Sequence, residues 1–165
     1  MYYPPPKRSD IIGEAILPDD CSVSFSCSSP FERKIFHTVF GKSTGQGAYP
    51  VSIRAEYRQP DLPEGAEAFT LVLSENGTGL SAAVYCLTDA ALTRALFKLK
   101  SLLNGKAVPL GRISDYPSFA LRGYIEGFYG KPWTHSQRLD MMYFMASKGE
   151  NCVYYAPKDD PLHHG

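Results

Sequence analysis

Residues 121–161 read LRGYIEGFYGKPWTHSQRLDMMYFMASKGENCVYYAPKDDP and carry the clearest pattern in the chain. Two short apolar runs, residues 121–126 and 152–156, predict strands that end at Gly127 and Pro157. The residues between them have the spacing of an amphipathic helix. A strand, a helix and a second strand in this order predict a βαβ unit, whose strands are parallel and joined by a right-handed crossover.

The helix of this unit has recognisable ends. Thr134 offers a side-chain oxygen as N-cap, and Gln137, three residues later, completes the pattern of a capping box. Lys148 supplies a cation in the last turn, and Gly149 tolerates the left-handed conformation that ends many helices. One stripe at helical spacing is expected to be buried, and it consists of Leu139, Met142, Tyr143 and Ala146.

Both strands are followed by segments with ligand-binding residues. Residues 127–133, GFYGKPW, are rich in glycine and aromatic side chains, whereas residues 157–160, PKDD, are rich in charge. Parallel α/β folds bind their ligands at the carboxyl ends of the strands. Aromatic faces pack against sugar CH groups, and lysine and aspartate hydrogen-bond to hydroxyls. The two segments therefore suggest a site for a polar, ring-shaped ligand.

Two motifs in this part of the chain resemble the opening of the catalytic barrel of glycoside hydrolase family 84. They are RGYIEGFYGKPW at residues 122–133 and NCVYYAPKDDP at residues 151–161. The family contains the O-GlcNAcases and bacterial β-N-acetylglucosaminidases, some of them called hyaluronidases. The resemblance implies that a (β/α)8 TIM barrel begins at about residue 118. It also implies retaining, substrate-assisted cleavage of terminal β-linked N-acetylglucosamine from a glycan or glycoprotein.

The resemblance further implies three substrate-binding residues. In the family, the backbone of the first glycine of EGFYG hydrogen-bonds to hydroxyls of the bound sugar, and that glycine is Gly127 here. The lysine of APKDD, which also reaches the sugar, is Lys158, and Tyr129 borders the pocket. Two simpler explanations stay open: Gly127 could serve only the turn, and Lys158 could pair with Asp159 at the surface. Trp133, the single tryptophan, is expected to pack within the barrel rather than to hold a sugar.

Asp159 and Asp160 look like a catalytic pair but are not assigned as one. The family does use an adjacent Asp pair, one residue to orient the substrate acetamido group and the other as general acid and base. That pair lies in a later loop of the barrel, so no catalytic residue is predicted in this chain. A complete barrel takes about 250 residues, and residues 118–165 supply only its first βαβ unit. We therefore expect the chain alone to be inactive and the enzyme to be a longer protein.

Residues 1–117 have the pattern of an α+β domain, which resembles the small N-terminal domain that precedes the barrel in family 84 and in related hexosaminidases. Apolar and alternating runs predict four strands, at residues 21–27, 51–57, 69–73 and 78–85. Asn76-Gly77 predicts a hairpin turn between the last two. Asn76-Gly77-Thr78 also fits a glycosylation sequon, but the hairpin explains the same residues.

Two amphipathic helices are predicted in this domain, at residues 30–41 and 88–104. The first follows a Ser29 cap and should bury Phe31, Ile35 and Val39. The second should bury a leucine-rich face.

The charged residues of the second helix, including Arg94 and Lys98, are interpreted as a solvated surface. A further strand at residues 108–113 should lie at an edge of the sheet, because Pro109 lacks an N–H donor.

Composition excludes several classes of function. The 165 residues carry 17 basic (Lys and Arg) and 17 acidic side chains, so the formal net charge is zero. This balance gives no electrostatic basis for binding nucleic acid or an anionic membrane. No signal peptide or membrane-spanning run is visible, which implies a cytoplasmic protein if the N-terminus is complete. The four cysteines form no C-x-x-C pair and have no histidine at metal-ligand spacing, so reduced thiols and no metal or cofactor are predicted.

Two other functions are compatible with the sequence. The chain could be a non-catalytic module for carbohydrate contact or assembly, and a reading frame that continues into an adjacent Asp pair would argue against this. It could also be part of a family 20-type β-hexosaminidase, which shares the N-terminal domain. The combination of EGFYG-x-PW with YAPKDD argues against family 20, whose catalytic motif pairs Asp with Glu.

Overall fold

A computed structural model of the protein describes residues 5–42, 47–58, 62–105, 107–127 and 131–156. The chain divides into two compact units, residues 1–117 and residues 118–165. Within the described residues, no helix is both long and apolar enough to cross a membrane.

The first unit is built on a mixed six-stranded sheet. Its strands are β1 (Arg8–Ile16), β2 (Cys21–Ser26), β3 (Tyr49–Tyr57), β4 (Phe69–Glu75), β5 (Leu80–Cys86) and β6 (Ala107–Asp115). The spatial order is β1-β6-β4-β5-β3-β2. The three pairs that involve β4 or β1 are antiparallel, whereas β5, β3 and β2 run parallel to one another. The predicted hairpin joins β4 to β5, and Gly77 adopts the positive φ of 79° that its turn requires.

Two helices form the second layer of this unit, α1 (Pro30–Phe40) and α2 (Asp89–Leu103). Both begin at predicted caps, where the side chains of Ser29 and Thr88 accept hydrogen bonds from Glu32 N–H and Ala91 N–H. Helix α2 contacts α1 and the three strands β4, β5 and β6. Its leucine-rich face is buried as predicted, and the fully buried members are Leu92, Ala95, Leu96, Leu99 and Leu102.

The buried face of α1 differs from the predicted one. Phe31 is 55% exposed, whereas Phe36 is buried and stacks on Phe25 of β2 with ring centroids 4.9 Å apart. Glu32 is also buried, because its carboxylate accepts a hydrogen bond from Ser28 N–H in front of the helix. The inward stripe therefore passes through Glu32, Phe36 and Val39, and the need to cap the helix has displaced Phe31 to the outside.

The prediction that β6 is an edge strand is wrong. It lies between β1 and β4 in the sheet, and the edge is formed by β1. Pro109 is tolerated because β4 pairs with β6 only from Gly111 to Asp115. Pro109 itself pairs with Glu14 of β1 and lies beyond the end of β4, so one side of the strand needs no ladder hydrogen bond there.

The charges of α2 are not a solvated surface. Lys98 is 8% exposed, and its Nζ lies 3.9 Å from Oδ2 of Asp115, which is 4% exposed. Arg94 Nη2 lies 3.7 Å from the same oxygen, and Arg94 Nη1 donates to the Glu67 carbonyl. Burial lowers the pKa of Lys98 even though the Asp115 carboxylate opposes this shift. We call Arg94, Lys98 and Asp115 the Asp115 cluster.

The second unit has the predicted βαβ order. Strands β7 (Gly123–Glu126) and β8 (Cys152–Tyr155) are parallel and flank helix α3 (His135–Ser147). The capping box of Thr134 and Gln137 is present, and the helix ends at Lys148 and Gly149, whose φ is 77°. The parallel pairing that the sequence predicts is therefore confirmed.

The predicted buried face of α3 is wrong in this unit. Leu139, Met142 and Tyr143 are 51%, 45% and 42% exposed, whereas Met145 is 3% exposed. The face of the helix that lies against the strands instead contains Arg138 and Met145, seven residues apart. Arg138 contacts Glu126 of β7 and Tyr155 of β8. The apolar stripe was misassigned because a charged side chain occupies the position closest to the strands. In addition, the two strands β7 and β8 can cover only a narrow face of α3, so most of its apolar side chains stay exposed.

Candidate functional site

The carboxyl ends of β7 and β8 lie side by side. Glu126 pairs with Tyr155, and Ala156 N–H donates to the Glu126 carbonyl over 3.0 Å. Gly127 and Ala156 therefore leave the two strands at the same edge, where the sequence predicts a ligand site. Of the three predicted substrate-binding residues, the structure places Gly127, whereas Tyr129 and Lys158 lie outside the described residues, as do Asp159 and Asp160.

The backbone conformation at position 127 does not require a glycine. It is absent from the glycines with positive φ, which are Gly41, Gly65, Gly77, Gly111 and Gly149 among the described residues. A Cβ atom at Gly127 would lie 3.2 Å from Ile125 Cγ2 and 3.7 Å from the Ala156 carbonyl oxygen. The first contact is tight, but Ile125 is 68% exposed and can move. The φ angle of Gly127 therefore does not account for a glycine at this position.

Glu126, which directly precedes Gly127, is a buried carboxylate held by one arginine. Its side chain is 1% exposed, and its two oxygens accept from Arg138 Nε over 2.9 Å and from Arg138 Nη2 over 2.8 Å. Such a two-point contact between guanidinium and carboxylate is strong and directional. The hydrogen bonds from Arg138, with a further one from Trp133 N–H, lower the pKa of Glu126 although burial opposes the shift.

Aromatic rings complete the surroundings of this ion pair. The Arg138 guanidinium lies 4.7 Å from the ring centroid of Tyr155 in β8. The Trp133 ring is tilted against Tyr124 of β7 at 5.8 Å, so the tryptophan packs on a strand residue. Glu126 and Arg138 thus connect both strand ends, the start of α3 and Trp133. This network holds the backbone on either side of the glycine-containing loop.

Sequence reasoning missed the pair of Glu126 and Arg138. A carboxylate at the end of a short apolar strand is the one signal that could have indicated it, because such a group needs a partner when it is buried. Arg138 gives no comparable signal, since arginine on a predicted helix is ordinary.

The described residues contain no group of three or more His, Cys, Asp or Glu side chains placed to hold a metal ion. Cys21, Cys27, Cys86 and Cys152 form no disulfide with one another.

Glu126→Gln is expected to destabilise the second unit by about 1–3 kcal/mol, the usual contribution of hydrogen bonds to a charged group. The reporter is the fluorescence of Trp133, the single tryptophan, during urea unfolding of the chain. The pKa of Glu126 is lowered in the folded state, so its contribution is present at neutral pH. This contribution is lost as the pH falls through the lowered pKa, and the difference between wild type and variant should shrink below the ordinary range of a glutamate.

Glu14→Gln is the matched control, because Glu14 is exposed on β1 in the first unit. It should leave the Trp133 transition unchanged. If Glu126→Gln unfolds at the same urea concentration as wild type at neutral pH, the network does not hold this unit together.

Comparison with known proteins gives one family match. The model of the β-N-acetylglucosaminidase family matches residues 122–165, which contain the whole second unit except its first residues. The O-GlcNAcase of Mus musculus is 44% identical over 59 residues, which are 36% of this chain and 6% of the mouse protein.

Solved structures share the fold. The structure of CpGH84B superposes with a TM-score of 0.67 at 24% identity, covering 98% of this chain and 30% of that protein. The β-N-acetylhexosaminidase of Bacteroides fragilis gives a TM-score of 0.66 at 14% identity, covering 94% of this chain and 32% of that protein. The chain thus spans about a third or less of each of these proteins. Residues 122–165 are therefore similar to the β-N-acetylglucosaminidase family, in the segment that carries both motifs, and the chain shares its fold with the solved structures.

Proposed function

We propose that this chain is part of a glycoside hydrolase that removes terminal β-linked N-acetylglucosamine from glycans or glycoproteins. The reaction is retaining, and the substrate's own acetamido oxygen is the nucleophile, as in family 84. The observation that carries the proposal is the edge of the second unit, where Gly127 and Ala156 follow paired parallel strands inside the matched segment.

The same unit is proposed as the opening of a (β/α)8 barrel, with the domain boundary between residues 117 and 118. Parallel strands joined by a helix are the repeating element of that barrel. The exposed apolar side chains of the unit support this fold, because a barrel would cover both the strands and the helix. They include Ile125, Leu139, Met142, Phe144 and Tyr154.

Within this site, each substrate-binding residue has a separate role. The backbone of Gly127 contacts sugar hydroxyls, and the absence of a side chain lets the sugar approach. The Lys158 ammonium donates hydrogen bonds to sugar oxygens, and Tyr129 borders the pocket. The acid/base and acetamido-orienting carboxylates belong to a later loop of the family's barrel. Asp159 and Asp160 organise the loop that carries Lys158.

Family 20 hexosaminidases are the competing assignment, because proteins of that family superpose on this chain as well. One from Vibrio harveyi does so with a TM-score of 0.60 at 15% identity. The fold therefore does not separate the two families. The motif pair EGFYG-x-PW and YAPKDD and the O-GlcNAcase relatives favour family 84.

The test is Lys158→Ala in the full-length protein, assayed with a chromogenic N-acetylglucosaminide. Loss of one or two hydrogen bonds from a charged donor should lower kcat/KM by a factor that corresponds to about 1–3 kcal/mol. Lys148→Ala is the matched control. It removes the same ammonium at the C-terminal end of α3, far along the helix from the strand ends that bind sugar, and should leave kcat/KM unchanged.

An unchanged kcat/KM in Lys158→Ala would refute the role of this lysine.

Residues 1–165 alone should release no chromophore above a buffer blank. Turnover by residues 1–165 that disappears in Asp159→Asn would overturn the assignment of the Asp pair to the loop.

A further inference from the structure

The turn between β4 and β5 holds an asparagine in an unusual set of hydrogen bonds. Asn76, Gly77 and Thr78 are exposed at the tip of the hairpin, and Asn76 N–H donates to the Gly79 carbonyl over 3.2 Å. The side-chain oxygen Oδ1 of Asn76 accepts from Thr78 N–H over 3.2 Å and from Thr78 Oγ1–H over 2.9 Å. Two donors of one residue thus converge on the amide carbonyl of Asn76.

The backbone N–H of Gly77, between Asn76 and Thr78, donates no hydrogen bond within the described residues. Gly77 has a φ of 79°, and a Cβ there would meet nothing within 4 Å. The nitrogen of Gly77 therefore has no hydrogen bond to lose when it reacts, and its residue is not crowded by neighbours.

The chain contains a second Asn-Gly pair with the opposite geometry. Asn104 is the C-cap of α2, with a helical φ of −71° and ψ of −12°. Its following glycine is engaged, because Gly105 N–H donates to the Leu102 carbonyl over 3.1 Å. At Asn76-Gly77 the glycine nitrogen makes no hydrogen bond to a described residue and the asparagine side-chain oxygen accepts two. At Asn104-Gly105 the glycine nitrogen is hydrogen-bonded to the helix.

From this contrast we propose that Asn76 is a site of spontaneous deamidation, whereas Asn104 is protected. The Gly77 nitrogen loses its proton to solvent and attacks Cγ of Asn76, which forms the N–Cγ bond of a five-membered ring. The Cγ–Nδ2 bond then breaks and ammonia leaves with a proton from solvent. Water opens the resulting succinimide at either carbonyl, which gives aspartate or isoaspartate at position 76.

Thr78 is the residue that promotes the reaction. Negative charge develops on Asn76 Oδ1 when Cγ becomes tetrahedral, and the two Thr78 donors already point at this oxygen. They act as an oxyanion hole does in acyl transfer, where donors aimed at a developing charge stabilise the transition state. The product places a new carboxylate beside Glu75, whose own carboxylate accepts from the Tyr49 hydroxyl over 2.6 Å. An isoaspartate also lengthens the backbone between two interior strands of the sheet.

The experiment is incubation of the folded chain at mildly alkaline pH, followed by peptide mapping with mass spectrometry that distinguishes aspartate from isoaspartate. Asn76 should convert at least about tenfold faster than Asn104, since several hydrogen bonds differ between the two sites. In the urea-unfolded chain the two sites should react at similar rates. Equal rates in the folded chain, or a faster Asn104, would overturn the proposal.

Thr78→Val tests the mechanism, because it removes the hydroxyl donor and keeps the shape of the side chain. It should slow conversion of Asn76 by about fivefold, as expected for one hydrogen bond. Thr38→Val is the matched control, since the Thr38 hydroxyl donates to the Lys34 carbonyl on the exposed face of α1. If Thr78→Val deamidates as fast as wild type or faster, the Thr78 hydrogen bonds do not promote the reaction and the assignment fails.

Discussion

Asp115→Ala is expected to lower the free energy of unfolding of the first unit by about 3–5 kcal/mol, because it removes the carboxylate that faces two buried cations. The carboxylate stands at the end of β6 between the cations of Arg94 and Lys98, and all three members of the Asp115 cluster are largely buried. Asp115 Oδ1 also accepts from Tyr116 N–H over 2.9 Å, so the substitution removes a backbone partner as well. Thermal unfolding followed by circular dichroism measures the loss.

Asp10→Ala is the matched control for this experiment. Asp10 lies exposed on β1 and pairs through its backbone with Arg112, so removal of its side chain should change stability very little. A second control separates charge from shape. Asp115→Asn keeps the shape and the acceptor for Tyr116 N–H, and should still be destabilising because the two cations remain. Equal stability of Asp115→Ala and Asp10→Ala would show that solvent screens the cluster.

Gly123→Ala is expected to break the pairing of β7 and β8, with a loss of about 3 kcal/mol or more in the second unit. A Cβ atom at this position would lie 1.6 Å from the Cys152 carbonyl oxygen and 2.6 Å from its carbonyl carbon. Both atoms belong to the partner strand's backbone, so no side-chain rotation relieves the overlap. Hydrogen exchange of the amides in residues 152–155 and the fluorescence of Trp133 would report the loss.

Gly127→Ala provides the comparison within the same segment. Among the described residues, its Cβ would meet the exposed side chain of Ile125 at 3.2 Å and the Ala156 carbonyl oxygen at 3.7 Å. We expect the fold to survive and kcat/KM of the full-length protein to fall, since in the proposed site the new methyl group would occupy space beside the sugar. The two glycines would then have separate roles, one in strand pairing and one in substrate approach. Normal hydrogen exchange in Gly123→Ala, or full activity in Gly127→Ala, would contradict these roles.

The ends of the elements follow from short-range signals in the sequence. The Ser29 and Thr134 caps begin helices where predicted, Asn76-Gly77 makes the hairpin, and Gly149 ends α3. Each of these signals acts through hydrogen bonds or φ angles within about four residues of the chain, so they hold whatever packs around them. The parallel order of β7 and β8 agrees with the helix between them, because parallel neighbours need a crossover connection.

The motifs of the second unit indicate the resemblance to a β-N-acetylglucosaminidase from the sequence alone. Residues 122–165 match the β-N-acetylglucosaminidase family, which the pattern of EGFYG-x-PW and YAPKDD had already indicated. What the motifs could not indicate is why Gly127 is a glycine. Only the structure shows that Gly127 does not have a positive φ, so its backbone conformation is not the reason for a glycine there.

Tertiary structure decides which side chains are buried, and the periodicity of apolar residues in the sequence did not predict all of them. Phe31 is apolar and correctly spaced but exposed, whereas Lys98 and Glu126 are charged and buried. Whether a side chain is covered depends on which element lies opposite it, and for a charged group on a partner distant in the sequence. Lys98 is 17 residues from Asp115 and Glu126 is 12 from Arg138, beyond the reach of any local pattern. Local hydrogen bonding thus settles where helices and strands begin and end, while long-range packing and charge pairing settle which of their faces lie inside.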